Sequence, residues 1–314
     1  MRVIVTGAAG FIGWHLVEAL ASKNGDVIQA WTHRAGSAGW HAAVDTAPVE
    51  MSDQASIGER LKNFQPDLIV HLAAQSLPGL SWSDPVLTYQ TNVIGAIYLL
   101  EAVRDLRKPA RVLLAGSSAE YADGAGAQPI AESAPIGPNS PYAASKFAVD
   151  QLADLYVRRY ELDIVRFRPF FLIGPRKVGD VCSEFAQRIV AVERGEASTV
   201  RVGPLDVVRD FMDVRDGVSG ILRVATAGQR GEVYNISSGV GVRVADVLQT
   251  YRQLSKATFA VEQDPNLVRR LDHDVRIGDA SKLRALGWEP QYSLASALQS
   301  VLDYWRSVDT SKRE

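Results

Sequence analysis

Arg2-Val3-Ile4-Val5-Thr6-Gly7-Ala8-Ala9-Gly10-Phe11-Ile12-Gly13 is the stretch on which the fold turns. Arg2 to Val5 reads as a short buried parallel strand. From Phe11 to Ser22 apolar residues recur at helical spacing. A strand, a glycine-rich turn and a helix are the setting that a dinucleotide fingerprint requires. Gly7 permits the tight turn, Gly10 lets the backbone approach phosphates, and Gly13 lets the helix pack close to the strand. The helix start, with Phe11 and Ile12, offers free N–H groups and a partial positive charge to an anion. An ordinary βα turn is the bland alternative, and the flanking elements argue against it.

The second strand closes on Thr32-His33-Arg34, with no acidic residue to bind a ribose 2′-hydroxyl. Arg34 suits a 2′-phosphate instead, which favours NADP(H); NAD(H) is the second option, with Arg34 lying over the adenine or in water. Glu50, followed by Met51, comes after a third strand and is placed to accept from an adenine amino group, unless it is ordinary loop solvation.

A second constellation lies far downstream. Tyr142-Ala143-Ala144-Ser145-Lys146 puts a lysine one helical turn from a tyrosine, on the same face. A free tyrosine has a pKa of about 10, too high for neutral acid/base work. The lysine charge is expected to favour the phenolate and lower that value. Ser117 and Ser118 follow the apolar run 111–115, at the carboxyl end of a strand, where ligands bind in open α/β sheets. Tyrosine and lysine at this spacing occur by chance in many helices; behind the glycine turn and the strand-end serines the set becomes specific.

With these motifs on view, the chain resembles the extended short-chain dehydrogenases/reductases that act on nucleotide sugars, over nearly its full length. The resemblance is carried by His71-Leu72-Ala73-Ala74, Asn92-Val93-Ile94-Gly95, Gly116-Ser117-Ser118, Ser140-Pro141-Tyr142, Ile173-Gly174-Pro175-Arg176, Arg209-Asp210-Phe211 and Gly287-Trp288. Within that family it is most similar to GDP-4-keto-6-deoxymannose reductases. The resemblance implies that Ser117, Tyr142 and Lys146 are catalytic, with Tyr142 and Lys146 also touching the cofactor. Asn92 would brace the active-site helix, and Ala73 and Ala74 would line the cofactor channel. For the substrate it implies Ser117, Ser118 and Glu120 near the sugar, and Arg209 and Arg269 on the diphosphate, with Arg176 a weaker choice. Arginine suits a diphosphate because it binds bidentately; the alternative is that one of these is a solvated surface charge. Two departures stand out. Arg270 follows Arg269 where the family usually has proline, and Phe171 stands where many relatives have an asparagine that contacts the diphosphate.

At 314 residues, 46% hydrophobic and 22% charged, with net charge -2, the chain reads as a soluble globular protein with no electrostatic case for nucleic acid or a membrane surface. No apolar run is expected to reach the ~20 residues that span a bilayer. A strand starting at residue 2 leaves no signal peptide, and Cys182 is the sole cysteine, so a cytoplasmic protein is expected. Cys182 reads as a small buried hydrophobe rather than a nucleophile. No metal site is expected.

Strands at 2–6, 26–32, 67–71, 111–115 and 163–169 alternate with helices, which predicts an α/β, doubly wound Rossmann domain over 1–170. Residues 171–314 would form mainly a smaller substrate-binding lobe, with chain crossings between the two and helices at 182–194, 213–227, 243–255 and 293–305. Long helices are expected at 85–107 and 141–160; Phe147, Leu152, Leu155 and Tyr156 make an apolar stripe on the second, read as core. The resemblance implies that both helices also form a homodimer interface. Residues 121–140, rich in Gly, Ala, Pro and Ser, read as an exposed loop.

The function expected from all this is NADPH-dependent reduction of a 4-keto sugar on a nucleoside diphosphate, with GDP-4-keto-6-deoxymannose giving GDP-rhamnose as the leading case. In related 4,6-dehydratases an acidic residue sits two places after the catalytic Ser/Thr; here that place is Ala119, or Glu120 if the register slips by one. A 4-epimerase or a GDP-mannose 4,6-dehydratase is the alternative, and a non-catalytic NADP-binding sensor is a third reading of a different class.

Overall fold

The computed structural model describes residues 1–23, 25–33, 39–40, 44–124, 128–267 and 275–308. Arg34 and Arg269 lie outside the described residues. The chain opens with β1 (Arg2–Thr6), α1 (Phe11–Ala21), β2 (Val27–Thr32), β3 (Val44–Pro48), α2 (Gln54–Phe64) and β4 (Leu68–His71). Short helices α3 (Pro78–Ser83) and α4 (Pro85–Tyr89) lead through a π-helical turn (Gln90–Ile94) into α5 (Gly95–Arg104). Next come β5 (Arg111–Ala115), α6 (Pro141–Tyr160), β6 (Ile164–Pro169), β7 (Phe171–Ile173), α7 (Val181–Glu193) and β8 (Thr199–Val202). The remainder is β9 (Val208–Arg209), β10 (Phe211–Asp213), α8 (Val214–Ala227), β11 (Val233–Ile236), β12 (Val242–Arg243), α9 (Val244–Leu254), β13 (Ala260–Gln263), α10 (Ser281–Arg284) and α11 (Leu294–Ser307).

Among the described residues the main sheet has seven strands in the order β11-β6-β5-β4-β1-β2-β3, all parallel. This is the doubly wound Rossmann arrangement, with its reversal of strand order between β1 and β4. Every residue of β1 after Arg2 is buried, as are all four of β4, which is why these segments read as apolar runs without alternation. The strand ends predicted from sequence agree with the observed ones to within a residue.

Two apolar cores sandwich this sheet. One joins α1 and α8 against β1, β2, β4, β5, β6 and β11, and reaches Leu283 and Trp288; the other packs α2, α5 and α6 against the opposite face. A third core, built by α7, α9 and α11 around Val200, Val202 and Phe211, stands apart from the main sheet. Residues 214–236, from the second half of the chain, thus pack with the main sheet as α8 and β11.

Three expectations need correction. Residues 121–140 are not simply exposed: Tyr121 and Ile130 are buried with Phe170, and bridges join Tyr121 to Ile136 and Ile130 to Gly278. Apolar anchors spaced through a Gly/Pro-rich stretch held it down. The stripe on α6 is core only in part: Tyr156 packs against the second core, while Phe147 and Leu152 are half-buried. Leu155 is 52% exposed, while the face turned inward is Ala143, Ser145, Lys146, Val149, Asp150 and Ala153. Small residues at Ala143, Ser145 and Ala153 let α6 lie close to the sheet. Finally, the helix from Pro85 to Arg104 has 20 residues, with an 18-residue stretch of mean hydropathy 1.2, long and apolar enough to cross a membrane by length and composition alone. Here its α5 portion is built into the core beside α2.

Candidate active site

The glycine turn closes onto the end of β4, backbone against backbone. Gly7 has φ +64°, and a Cβ there would lie 2.6 Å from the Ala73 amide nitrogen. A Cβ on Gly13 would strike the Gly7 carbonyl oxygen, whereas one on Gly10 would meet only that oxygen, at 3.1 Å. Gly10 is exposed and α1 has no side-chain cap on its first turn. The loop is thus a bare backbone cradle at a helix N-terminus, at the strand-order switch, and it fits a dinucleotide pyrophosphate.

Thr6 fixes the far wall. Its Oγ1 accepts from the Leu72 and Ala73 N–H groups at 3.2 and 3.1 Å and bonds His71 Nδ1 at 2.8 Å. With two donors already on that oxygen, the threonine hydroxyl donates to an unprotonated Nδ1, a tautomer inferred from the bond pattern. Burial, with the Lys146 charge adding to it, pushes the His71 pKa down to about 3. A neutral histidine therefore holds the segment carrying Ala73 and Ala74.

Asn92 lies in the π-helical turn, a local widening common at functional sites. Its Oδ1 accepts from Gln75 N–H at 2.7 Å, and its Nδ2 donates to Gln75 O at 3.1 Å and Ser145 Oγ at 2.9 Å. Ser145 Oγ in turn donates to the Tyr142 carbonyl at 2.7 Å. Asn92 thereby ties the loop after β4 to the first turns of α6, which start at Ser140, whose hydroxyl caps Ala143 N–H at 3.2 Å.

Tyr142 and Lys146 lie on α6 facing the end of β5. The Ser117 and Tyr142 side chains are close enough to interact, and Lys146 Nζ donates to the Ala115 carbonyl at 2.9 Å. Burial pushes the Tyr142 pKa up, the Ser117 side chain opposes this, and the Glu120 charge adds to it. Burial also brings Lys146 down to about 8. The expected lowering of the tyrosine pKa is therefore not what this site shows. Lys146 has lost its charge before Tyr142 would ionise, so burial decides.

The structure does not bring every candidate to this pair. Glu120, taken from sequence as a substrate contact, is fully buried and faces inward. Its Oε1 accepts from Ser117 N–H at 2.6 Å and its Oε2 from Arg168 Nε at 3.0 Å. Ser118 is buried and its carbonyl accepts from Arg276 Nη1 at 2.8 Å. Arg176 has φ +72° and lays its guanidinium 4.7 Å from the Trp14 ring centroid, so it is engaged on α1. Arg209 sits on β9 with its guanidinium 5.4 Å from the Phe171 ring centroid, so the aromatic departure lies directly against a candidate phosphate ligand. Glu50 is exposed and pairs with His33 at 2.8 Å, while the Met51 side chain is buried beneath Gly95. Arg276 escaped the sequence reading. It also donates to Tyr121 O at 3.4 Å and pairs with Asp123. No spacing pattern marked it.

Residues 4–301 match the model of a family described as GDP-mannose 4,6 dehydratase. The chain belongs to that family. Its members here are extended short-chain dehydrogenases/reductases, NAD(P)-dependent enzymes of nucleotide-sugar chemistry, and the sensor alternative falls with that finding. The family member GDP-6-deoxy-D-mannose reductase of Pseudomonas aeruginosa is 30% identical over 98% of this chain and 97% of its own. UDP-glucose 4-epimerase of Mycolicibacterium smegmatis is 29% identical over 98% and 99%. Among solved structures, RMD from Pseudomonas aeruginosa complexed with NADPH superposes with a TM-score of 0.84 at 30% identity, covering 98% of this chain and 99% of that one. UDP-glucose 4-epimerase of Thermus thermophilus complexed with NAD gives 0.87 at 27%, covering 98% and 100%. A nicotinamide dinucleotide is thus the family's cofactor, and the cradle at Gly7–Gly13 fits it.

Proposed function

We propose that this protein reduces the 4-keto group of a nucleoside-diphosphate sugar with NADPH, GDP-4-keto-6-deoxymannose giving GDP-rhamnose being the leading case. The observation that carries the reading is the state of the carboxylate beside the catalytic serine. An elimination needs an acidic group free to move a proton beside the sugar. Ala119 has none, and Glu120 is turned away, bonded to Ser117 N–H and Arg168. What remains is the Tyr142 hydroxyl, kept protonated at neutral pH and near Ser117, which is the proposed proton donor.

Bound reduced nicotinamide supplies the hydride. Tyr142 gives its proton to the oxygen developing negative charge at sugar C4, and the Ser117 hydroxyl holds that oxygen. Lys146 orients the ribose and keeps positive charge close to the phenol. Glycines 7, 10 and 13 with the α1 N-terminus bind the pyrophosphate. Arg209 and Arg269 are the proposed diphosphate ligands, and Arg34 is the proposed reader of a 2′-phosphate. NADPH bound to the Pseudomonas aeruginosa relative supports that choice, and NAD(H) remains the second option. We further propose the homodimer through the helices at 85–107 and 141–160, with the adjoining α3 extending the face; large apolar side chains are exposed on α3, α4 and α6.

The test is a coupled assay in which GDP-4-keto-6-deoxymannose is generated in situ and oxidation of NADPH or NADH is followed by absorbance. Stoichiometric oxidation, faster with NADPH, is the expected outcome. No oxidation, together with isomerisation of a saturated GDP- or UDP-sugar without added cofactor, would replace the reading with a 4-epimerase, as the similarity to UDP-glucose 4-epimerases allows.

A further inference from the structure

Glu120 is a fully buried carboxylate for which the reaction above has no use. We propose that Glu120 is a positioning residue for Ser117, and that the chain Ser117–Glu120–Arg168–Asp150 locks the serine turn to the helix carrying Tyr142 and Lys146. This rests on the reading of Ser117 and Tyr142 as the proton-transfer pair.

Five observations lead to it. Glu120 Oε1 takes the Ser117 N–H at 2.6 Å, while Ser117 Oγ takes the Ala119 N–H at 3.1 Å, so the residue is held by backbone and side chain at once. Arg168 on β6 donates to Glu120 at 3.0 Å and to Asp150 Oδ2 at 2.7 Å. Asp150 is on α6, one turn past Lys146, and Arg166 reaches the same oxygen at 3.4 Å. All four side chains are buried. Gly116 makes room for the arrangement: a Cβ there would sit 2.5 Å from Glu120 Oε1 and 3.2 Å from Arg168 Cγ.

Ionised pairs taken out of water persist only when geometry and hydrogen bonding repay the desolvation. When Glu120 is ionised, two carboxylates and two guanidiniums in one buried cluster balance in charge, and the cluster spans the two elements whose separation sets the Ser117–Tyr142 distance. Catalytic hydroxyls lose rate steeply when displaced by as little as an ångström.

The groups facing Glu120 are Arg168 on β6, Asp150, Lys146 and Tyr142 on α6, and the neighbouring Tyr121. Burial raises the Glu120 carboxyl to about 7; Arg168 opposes this, Asp150 adds to it, and the Ser117 N–H and Lys146 oppose it. As pH falls through that value the carboxylate gains a proton, the bond to Arg168 loses its charge, and the grip on Ser117 loosens. Activity then declines on the acid side of neutrality.

The test combines Glu120→Gln, Ser117→Ala and the double variant, assayed with NADPH and GDP-4-keto-6-deoxymannose. Glutamine keeps an oxygen for the Ser117 N–H but cannot pair with Arg168. The expected result is a kcat reduced by about 10- to 100-fold, with KM and NADPH affinity within about 2-fold and the acid limb abolished. The double variant should be no slower than Ser117→Ala alone, because Glu120 acts through Ser117. Multiplicative losses, or a Glu120→Gln enzyme as fast as wild type, would overturn the proposal. A second readout needs neither turnover nor a folded variant: in serine-labelled wild-type protein, the Ser117 amide resonance should titrate between pH 6 and 8. A flat Ser117 signal overturns the proposal. A titrating signal in a protein that oxidises no NADPH leaves Glu120 in its role and rejects the reductase reading instead.

Discussion

A free tyrosine loses its proton slightly before a free lysine, and the fold reverses that order. Lys146 falls to about 8 because burial penalises its charge, and the same burial lifts Tyr142. At neutral pH the pair is therefore an ammonium beside an intact phenol, suited to donating a proton. Two outcomes follow at this scale. Tyr142→Phe should lower kcat by at least about 100-fold while NADPH affinity stays within about 3-fold, measured by steady-state kinetics and cofactor fluorescence. The pH profile of kcat/KM, which reports free-enzyme groups, should fall above pH 8 as Lys146 gives up the proton that its lowered pKa no longer holds. A profile still rising at pH 9 would show that Lys146 charge is not needed.

The glycine turn shows how an element dictates its residues. The Cβ of an alanine at Gly13 would run into the Gly7 carbonyl, a backbone atom that cannot swing aside. Gly13→Ala should therefore push α1 off β1 and weaken NADPH binding by about 10-fold or more, since the helix terminus moves with it. Gly58 is the contrasting case. It lies inside α2, and a Cβ there would have nothing within 4 Å. Gly58→Ala should accordingly stabilise the protein by about 0.5–1 kcal/mol. Chemical denaturation of both variants separates a glycine required by packing from one that costs stability. The caps on α6 belong to the same scale: Ser140, Pro141 at the first turn and Glu161 in the left-handed conformation (φ 56°) set where the helix starts and stops, and so where Tyr142 falls.

Across the whole molecule, the halves are stitched by charge as well as by the return of α8 and β11. Asp210 accepts from Ser238 N–H at 2.9 Å, Gly239 N–H at 2.9 Å and Gly278 N–H at 3.1 Å, and Arg276 reaches from that same segment to the Ser118 carbonyl. The serine turn is thus gripped from both sides. On the outer surface Trp82 is 66% exposed, Val86 64% and Leu155 52%, on α3, α4 and α6, which contact one another. This grouping of exposed apolar side chains is where the proposed dimer would form. Analytical ultracentrifugation should give twice the 34.2 kDa chain mass, and Trp82→Glu combined with Leu155→Glu should give the single mass. A wild-type monomer would end the dimer proposal.

Local patterning in the sequence determined a great deal. Apolar runs gave the strands, the Gly7–Gly13 spacing marked the turn, and a tyrosine and lysine four apart shared a helix face, because each depends on neighbours within a few residues. One further signal was there to be read: Arg166 and Arg168 interrupt the buried strand Ile164–Pro169, and buried charges need partners. Which partners they take was decided only by tertiary structure. Arg168 meets Glu120 across 48 positions, and Arg276 meets Ser118 across 158. Burial, not the adjacent lysine, also decided the ionisation of Tyr142. Sequence spacing carries no information about which distant side chain arrives or how much water leaves, and those two quantities set the chemistry of this site.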